Sequence, residues 1–138
     1  MKISTRGRYG LRALVELASC GEDACMPLRT IAKRHGMSED YLEQLFPPMK
    51  KAGIVKSVRG AQGGYMLNRS PGDITAADVI RVLEGTLSPV DCLEDETYEC
   101  PAASCKNCNT IYVWEKLYAG VNEILDTIKI SDLIVNEK

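Results

Sequence analysis

Behind Ser4, a residue suited to cap a helix, Leu11, Leu14, Val15 and Ala18 recur at helical spacing, and Gly21 closes the run. Pro27 suits the first turn of a second helix reaching about His35, where Gly36 can supply the left-handed residue that stops it. Ser38 then caps a third helix, with Glu39 and Asp40 in the first turn where the dipole favours negative charge. Pro47 and Pro48 fall inside its span, which predicts a kink or a broken last turn after Phe46. Two short β-like runs follow, residues 54–58 and 65–67, joined by the glycine-rich RGAQGG. Residues 75–84 read as a fourth helix ending at Gly85.

After Cys108, Asn109 can cap a long helix. Its apolar residues Ile111, Trp114, Tyr118, Val121, Leu125 and Ile128 alternate spacings of three and four, and Leu117 and Ile124 broaden the stripe. Such a seam needs a partner: within the chain only the first and fourth helices are sizeable candidates, and a self-paired two-fold dimer is the expected one.

The segment LRTIAKRHGMSEDYLEQLF has the layout of a helix-turn-helix. Ala32 permits close crossing, Gly36 makes the turn, Leu42 inserts between the helices, and Ile31, Met37 and Leu45 supply the other buried positions. The β-like pair behind it reads as a wing, with Arg59 and Gln62 at its tip and Arg59 placed to enter a minor groove. The exposed face of the Ser38–Phe46 helix would meet base edges through Ser38, Tyr41, Glu43 and Gln44. Gln can pair with adenine; Glu can accept from cytosine and also repels phosphates, which excludes wrong sequences. Arg6, Arg8, Lys50, Lys51 and Lys56 are the candidate phosphate contacts.

Charge sharpens this picture. Residues 1–70 carry twelve Lys/Arg against six Asp/Glu, a net of +6, while residues 71–138 carry five against thirteen, a net of −8. A polyanion-binding half is thus joined to a half that does something else. With 45% hydrophobic residues there is apolar material for a core without disulfides. No apolar run approaches a bilayer span and the basic start lacks an apolar core, so neither a membrane protein nor a secreted one is expected. The expected place is the cytoplasm, where thiols stay reduced.

Cysteine changes the picture again. Four of the six cysteines follow the spacing Cys92-x7-Cys100-x4-Cys105-x2-Cys108 in one short acidic stretch. In a reducing compartment that pattern suits an iron–sulfur cluster or a closed zinc site, which spacing alone does not separate, or else metal-free redox thiols. Cys20 and Cys25 default to small apolar roles, and His35, the only histidine, to a helix-end or phosphate contact. No nucleotide or flavin fingerprint and no paired acid/base constellation is found, so an enzyme is not expected.

The stretches MKISTRGRYGLRAL, SEDYLEQLFPPMKKAGIVKSVRGAQGGYML and ITAADVIRVLEG closely resemble the Rrf family of bacterial winged-helix transcription regulators, over nearly the whole chain. The resemblance implies a mainly α fold with a small β-wing: a winged helix-turn-helix over residues 1–70, a connecting helix and linker over 71–91, a cysteine-rich loop over 92–108, and a dimerisation helix with C-terminal segment over 109–138. It implies a homodimer on double-stranded DNA, at a partly palindromic operator. Cluster-binding members place three cysteines in this loop, which Cys92, Cys100 and Cys105 match in order with unusual spacings. A histidine is the fourth ligand in one branch; Cys108 stands at that place here. An iron–sulfur cluster, [2Fe–2S] or [4Fe–4S], is therefore preferred over zinc. Other members carry no cluster and repress cysteine-metabolism genes with a partner enzyme, which is the alternative.

Overall fold

A computed structural model describes residues 2–94 and 108–135. Cys100 and Cys105 lie outside the described residues. The order is α1 (Thr5–Ser19), α2 (Leu28–His35), α3 (Glu39–Lys51), β1 (Val55–Val58), β2 (Gly64–Leu67), α4 (Ala76–Glu84) and α5 (Ile111–Thr127), with 3-10 turns at Pro71–Asp73, Asp91–Leu93 and Ile130–Leu133.

Local chemistry starts most of these elements. Ser4 caps α1 by accepting from the Arg6 amide, and Ser38 caps α3 by accepting from the Tyr41 amide. Thr75 and Asp78 form a reciprocal capping box on α4. Gly36 stops α2 at φ 62°, ψ 33° and turns the chain into α3. Pro27 stands one place earlier than expected: extended at φ −67°, ψ 146°, it occupies the cap position and not the first turn.

The third helix does not break after Phe46. It runs through Pro47 and Pro48 to Lys51, and Ala52 N–H still reaches the Pro48 carbonyl at 3.1 Å. The prolines lack the donors that would reach the Glu43 and Gln44 carbonyls. Leu45, Phe46 and Met49, all fully buried, hold the backbone helical across that gap.

Strands β1 and β2 pair antiparallel, Val55 opposite Leu67 and Val58 opposite Gly64. A third piece of backbone completes the wing's base, since Met26 and Tyr65 exchange two hydrogen bonds of 2.9 Å. Gly64 sits so close to the Met26 carbonyl that a Cβ would overlap it, which explains the glycine before Tyr65.

One core joins α1, α2, α3 and the wing to α4 and the C-terminal turn. Leu14, Ile31, Leu42 and Phe46 share it with Ile74, Val79 and Ile130. Ile130 arrives through a bridge between Thr75 and Lys129, a long-range return that nothing local announces.

Helix α5 departs from expectation twice. Thr110, not Asn109, precedes it, in helical conformation and without a side-chain cap, because the Cys108 carbonyl already receives the Ile111 amide. The seam Ile111, Trp114, Tyr118, Val121, Leu125 and Ile128 is half-buried against the chain itself, and α5 lies on α4. Arg81 fastens the pair, donating to Asn122 Oδ1 at 2.7 Å and to both Asp126 oxygens at 3.0 and 3.1 Å. The free apolar stripe is the neighbouring one: Tyr112, Val113, Leu117 and Ile124 are 63, 53, 41 and 62% exposed. Beside Gly120 they line a shallow apolar groove of about 370 Å³.

Candidate nucleic-acid interface and cysteine segment

Helices α2 and α3 meet as the spacing demands, with Ile31, Ala32, Leu42 and Leu45 buried between them and Met37 packed at the edge. Burying that face leaves the opposite one to solvent. Ser38, Glu43, Gln44, Lys50 and Lys51 are all exposed along α3. Lys56 is exposed on β1, and Arg59 and Gln62 at the wing tip. Gly60 turns that tip at φ 113°. Arg8 is exposed on α1, its guanidinium 5.9 Å from the Tyr9 ring centre. Among the described residues, then, the exposed side chains of α3 and the wing include basic Lys50, Lys51, Lys56 and Arg59 beside acidic Glu39, Asp40 and Glu43.

Two of the candidate contacts have work inside the protein. Tyr41 is half-buried, its hydroxyl 2.9 Å from Thr5 Oγ1 and its ring edge-on to Tyr9 with centres 6.1 Å apart. Arg6 donates through Nε to the Leu83 carbonyl at 3.2 Å, at the end of α4. His35 is a tie between helices: its Nε2 stands 3.1 Å from Glu16 Oε2, while Arg34 Nη1 donates to Glu16 Oε1 at 2.7 Å. No sequence pattern singles out Arg29, although it and Lys33 stand four apart on α2, a spacing that puts both on one face. With Thr30 and Arg34 they line a basic groove of about 590 Å³.

The Arg34 bond, and then the His35 bond, hold the Glu16 carboxyl below its ordinary value of 4.5. Folding therefore favours the Glu16 anion, and its stabilisation is complete above that value and lost as pH falls through the lower, folded one. Glu16→Gln is expected to cost about 1 kcal/mol at neutral pH. Thermal midpoints of variant and parent should converge as pH falls below 4.5; parallel curves would mean the carboxylate contributes nothing.

The described cysteines Cys92 and Cys108 flank the segment that holds the other two. Cys92 is exposed on the 3-10 turn Asp91–Leu93, which follows α4 closely. Glu94, just beyond, accepts from the Thr86 hydroxyl and from Tyr118 Oη of α5, so this turn leans on the middle of α5. Cys108 stands three residues before the first residue of α5. Its thiol is 3.2 Å from Thr110 Oγ1, and that hydroxyl, then the first amides of the helix, hold it below the usual thiol value. A thiol whose ionised form is favoured by its hydrogen bonds, in a set of four, fits the soft-metal chemistry expected of these residues. Among the described residues no three metal-ligating side chains already stand together.

Residues 3–136 match the family model Rrf2, described as an iron-dependent transcriptional regulator. The chain belongs to the Rrf2 family. Relatives in the Rrf2 family include the HTH-type transcriptional regulator CymR of Bacillus subtilis, 47% identical over 133 residues that cover 96% of this chain and 89% of that one. IscR of Aliivibrio salmonicida is 34% identical over 138 residues, all of this chain and 80% of its own. The solved structure of CymR, described as the global cysteine regulator of B. subtilis, superimposes with a TM-score of 0.78 at 46% identity, covering 97% of this chain and 96% of that one. T. potens IscR gives 0.75 at 44% identity, over 96% of this chain and 85% of its own. The protein is thus an Rrf2-family DNA-binding transcriptional regulator with the winged-helix fold of its relatives: mainly helical, with one small antiparallel sheet. No helix among its described residues is long and apolar enough to cross a membrane.

Proposed function

We propose that this regulator works as a homodimer whose operator binding depends on an iron–sulfur cluster held by Cys92, Cys100, Cys105 and Cys108. The observation that carries the reading is the position of the two described thiols of this set: Cys92 follows α4, and Cys108 stands three residues before α5 with hydrogen bonds that favour its thiolate. The family's description as iron-dependent supports it. When bound, the cluster supplies a redox-active centre sensitive to iron supply and oxidants. The chain's own part is mechanical. Four thiolates converging on one point draw the turn after α4 toward the start of α5.

The free stripe of α5, centred on Leu117 and Ile124, pairs with that of a second copy. Each copy presents α3, with Ser38, Glu43 and Gln44 at base edges and Arg8, Lys50, Lys51 and Lys56 at phosphates. Arg59 and Gln62 reach the minor groove from the wing. Two such heads must meet half-sites about 34 Å apart or a multiple of that, so small changes in placement change affinity steeply.

A second reading has its own support, the 47% identity to CymR. On it the protein represses sulfur-metabolism genes without a cluster, through a partner enzyme. One set of measurements separates the two. Protein purified without oxygen should be coloured and contain iron and labile sulfide but little zinc. Its binding to duplex operator should fall with salt at a log–log slope of several units. Replacing the four cysteines by serine should lower affinity or change site choice. Equal binding by loaded, metal-free and serine proteins would sink the cluster reading and leave the CymR-like one.

A further inference from the structure

Two helix ends far apart in sequence interlock in this fold. Glu84, the last residue of α4, accepts three hydrogen bonds at one carboxylate oxygen: from Ser4 N–H at 2.9 Å, Ser4 Oγ at 2.7 Å and Gly7 N–H at 3.1 Å. An anion thereby meets the positive end of α1. Arg6 answers in the other direction, its cation at the Leu83 carbonyl where α4 ends. Ser4 already caps α1 locally, so Glu84 is not needed to start the helix. What it adds is placement. Gly7 and Gly10 make that placement close: a Cβ on Gly7 would stand 2.5 Å from the Glu84 oxygen, and one on Gly10 would overlap Leu83.

The other side of the same turn touches the DNA-reading helix. Thr5, between Ser4 and Gly7, pairs with the Tyr41 hydroxyl at 2.9 Å, and Tyr9 supports the Tyr41 ring. Tyr41 belongs to the first turn of α3, its amide bonded to Ser38, and it stands two residues before Glu43 and three before Gln44. The start of α1 is therefore gripped by the end of α4 on one side and by the start of α3 on the other.

We propose that Glu84 is a positioning residue for operator reading: through the first turn of α1 it sets where α3 stands relative to α4. It touches no base or phosphate itself. The proposal rests on the reading of α3 as the operator-facing helix, and the test separates the two.

The probe is a duplex selected from random DNA by the parent protein, bound by full-length variants prepared alike without oxygen. Glu84→Ala is expected to weaken binding about tenfold, the scale of losing charge-assisted bonds that hold a geometry. Glu84→Gln keeps an acceptor at the same place and should stay within about threefold of the parent. Gly7→Ala is the discriminating variant. Its methyl displaces the carboxylate tip while replacing a poor helix former by the best one, so the melting midpoint should hold or rise. Operator binding should nevertheless fall about tenfold, as with Glu84→Ala. Combined with Tyr41→Phe, Glu84→Ala should add less than it costs alone, because both act on one turn.

Gln44→Ala serves as the marker of α3. If it weakens binding while Gly7→Ala and Glu84→Ala stay within about twofold of the parent, the Glu84 proposal is overturned. It is overturned equally if Glu84→Ala loses affinity only in step with its melting midpoint while Gly7→Ala binds normally. If Gln44→Ala binds as the parent does and the Glu84 variants do not, the assignment of α3 fails, and the route through α3 proposed for Glu84 fails with it.

Discussion

Glutamate at both Leu117 and Ile124 is expected to leave the regulator monomeric and to weaken its operator binding by about 10²–10⁴. The two side chains stand 41 and 62% exposed in the middle and last third of α5, flanking the groove at Gly120. Exposed apolar stripes of this kind mark interaction surfaces. Paired across a two-fold axis, each substituted position would face the same negative charge on its partner, so the interface would oppose itself. The loss in DNA binding comes from avidity. A joined pair of reading heads delivers the second at high effective concentration, and separated heads do not. Folding should be spared, since neither side chain belongs to the core. Sedimentation velocity and operator titration check the two halves. A variant that still sediments as a dimer places the interface elsewhere; a monomer that binds as tightly as the parent removes the palindromic reading.

The largest effect on stability is expected from Phe46→Ala, at about 3–5 kcal/mol. Phe46 is the bulkiest fully buried side chain, on the inner face of α3 directly before the two prolines, and its ring lies 4.9 Å from that of Tyr65 on the wing. Removing it leaves a cavity where helix and wing meet. It also removes packing that offsets the backbone donors missing at Pro47 and Pro48. Such a loss is a large fraction of the about 5–15 kcal/mol that holds a domain together. Urea denaturation of parent and variant measures it, and a difference below about 1.5 kcal/mol would show that the site collapses around the void.

The parts of this fold that could be read from the chain are those set by neighbours in sequence. Ser4, Ser38 and Thr75 bond amides two or three residues on, and Gly36 turns the chain by its own conformation, so each announces an element locally. The helix-turn-helix was legible for the same reason. Pro47 and Pro48 left a kink or a break open, because propensity argues against helix there, and burial of Phe46 and Met49 removes the break. Periodicity located α5 but not its partner: a run of threes and fours says that a face is covered, not by what, and the inner face lies against the chain itself. Arg6 looked like any basic residue near DNA, and Glu84 like any exposed acid. Their contacts cross 77 and 80 residues of sequence, and no local pattern encodes such a distance. The cysteine segment is the opposite case. Its four thiols stand out in the sequence while their spacing leaves cluster, zinc and metal-free thiols open, and the structure adds the placement of the segment's two ends.

That placement gives α5 the character of a lever. Ile130, just past its C-terminal end, is sunk completely into the shared core, and Lys129 is strapped to Thr75. The pivot is therefore at that end, and Cys108 rides at the other, about 25 Å away. A tilt of about 5° shifts the Cys108 end by about 2 Å and leaves the pivot almost still. A cluster formed at that tip, as proposed, would act at the longest arm from the anchored end, and Arg81, bonded to Asn122 and Asp126, would be the point where such a tilt reached α4.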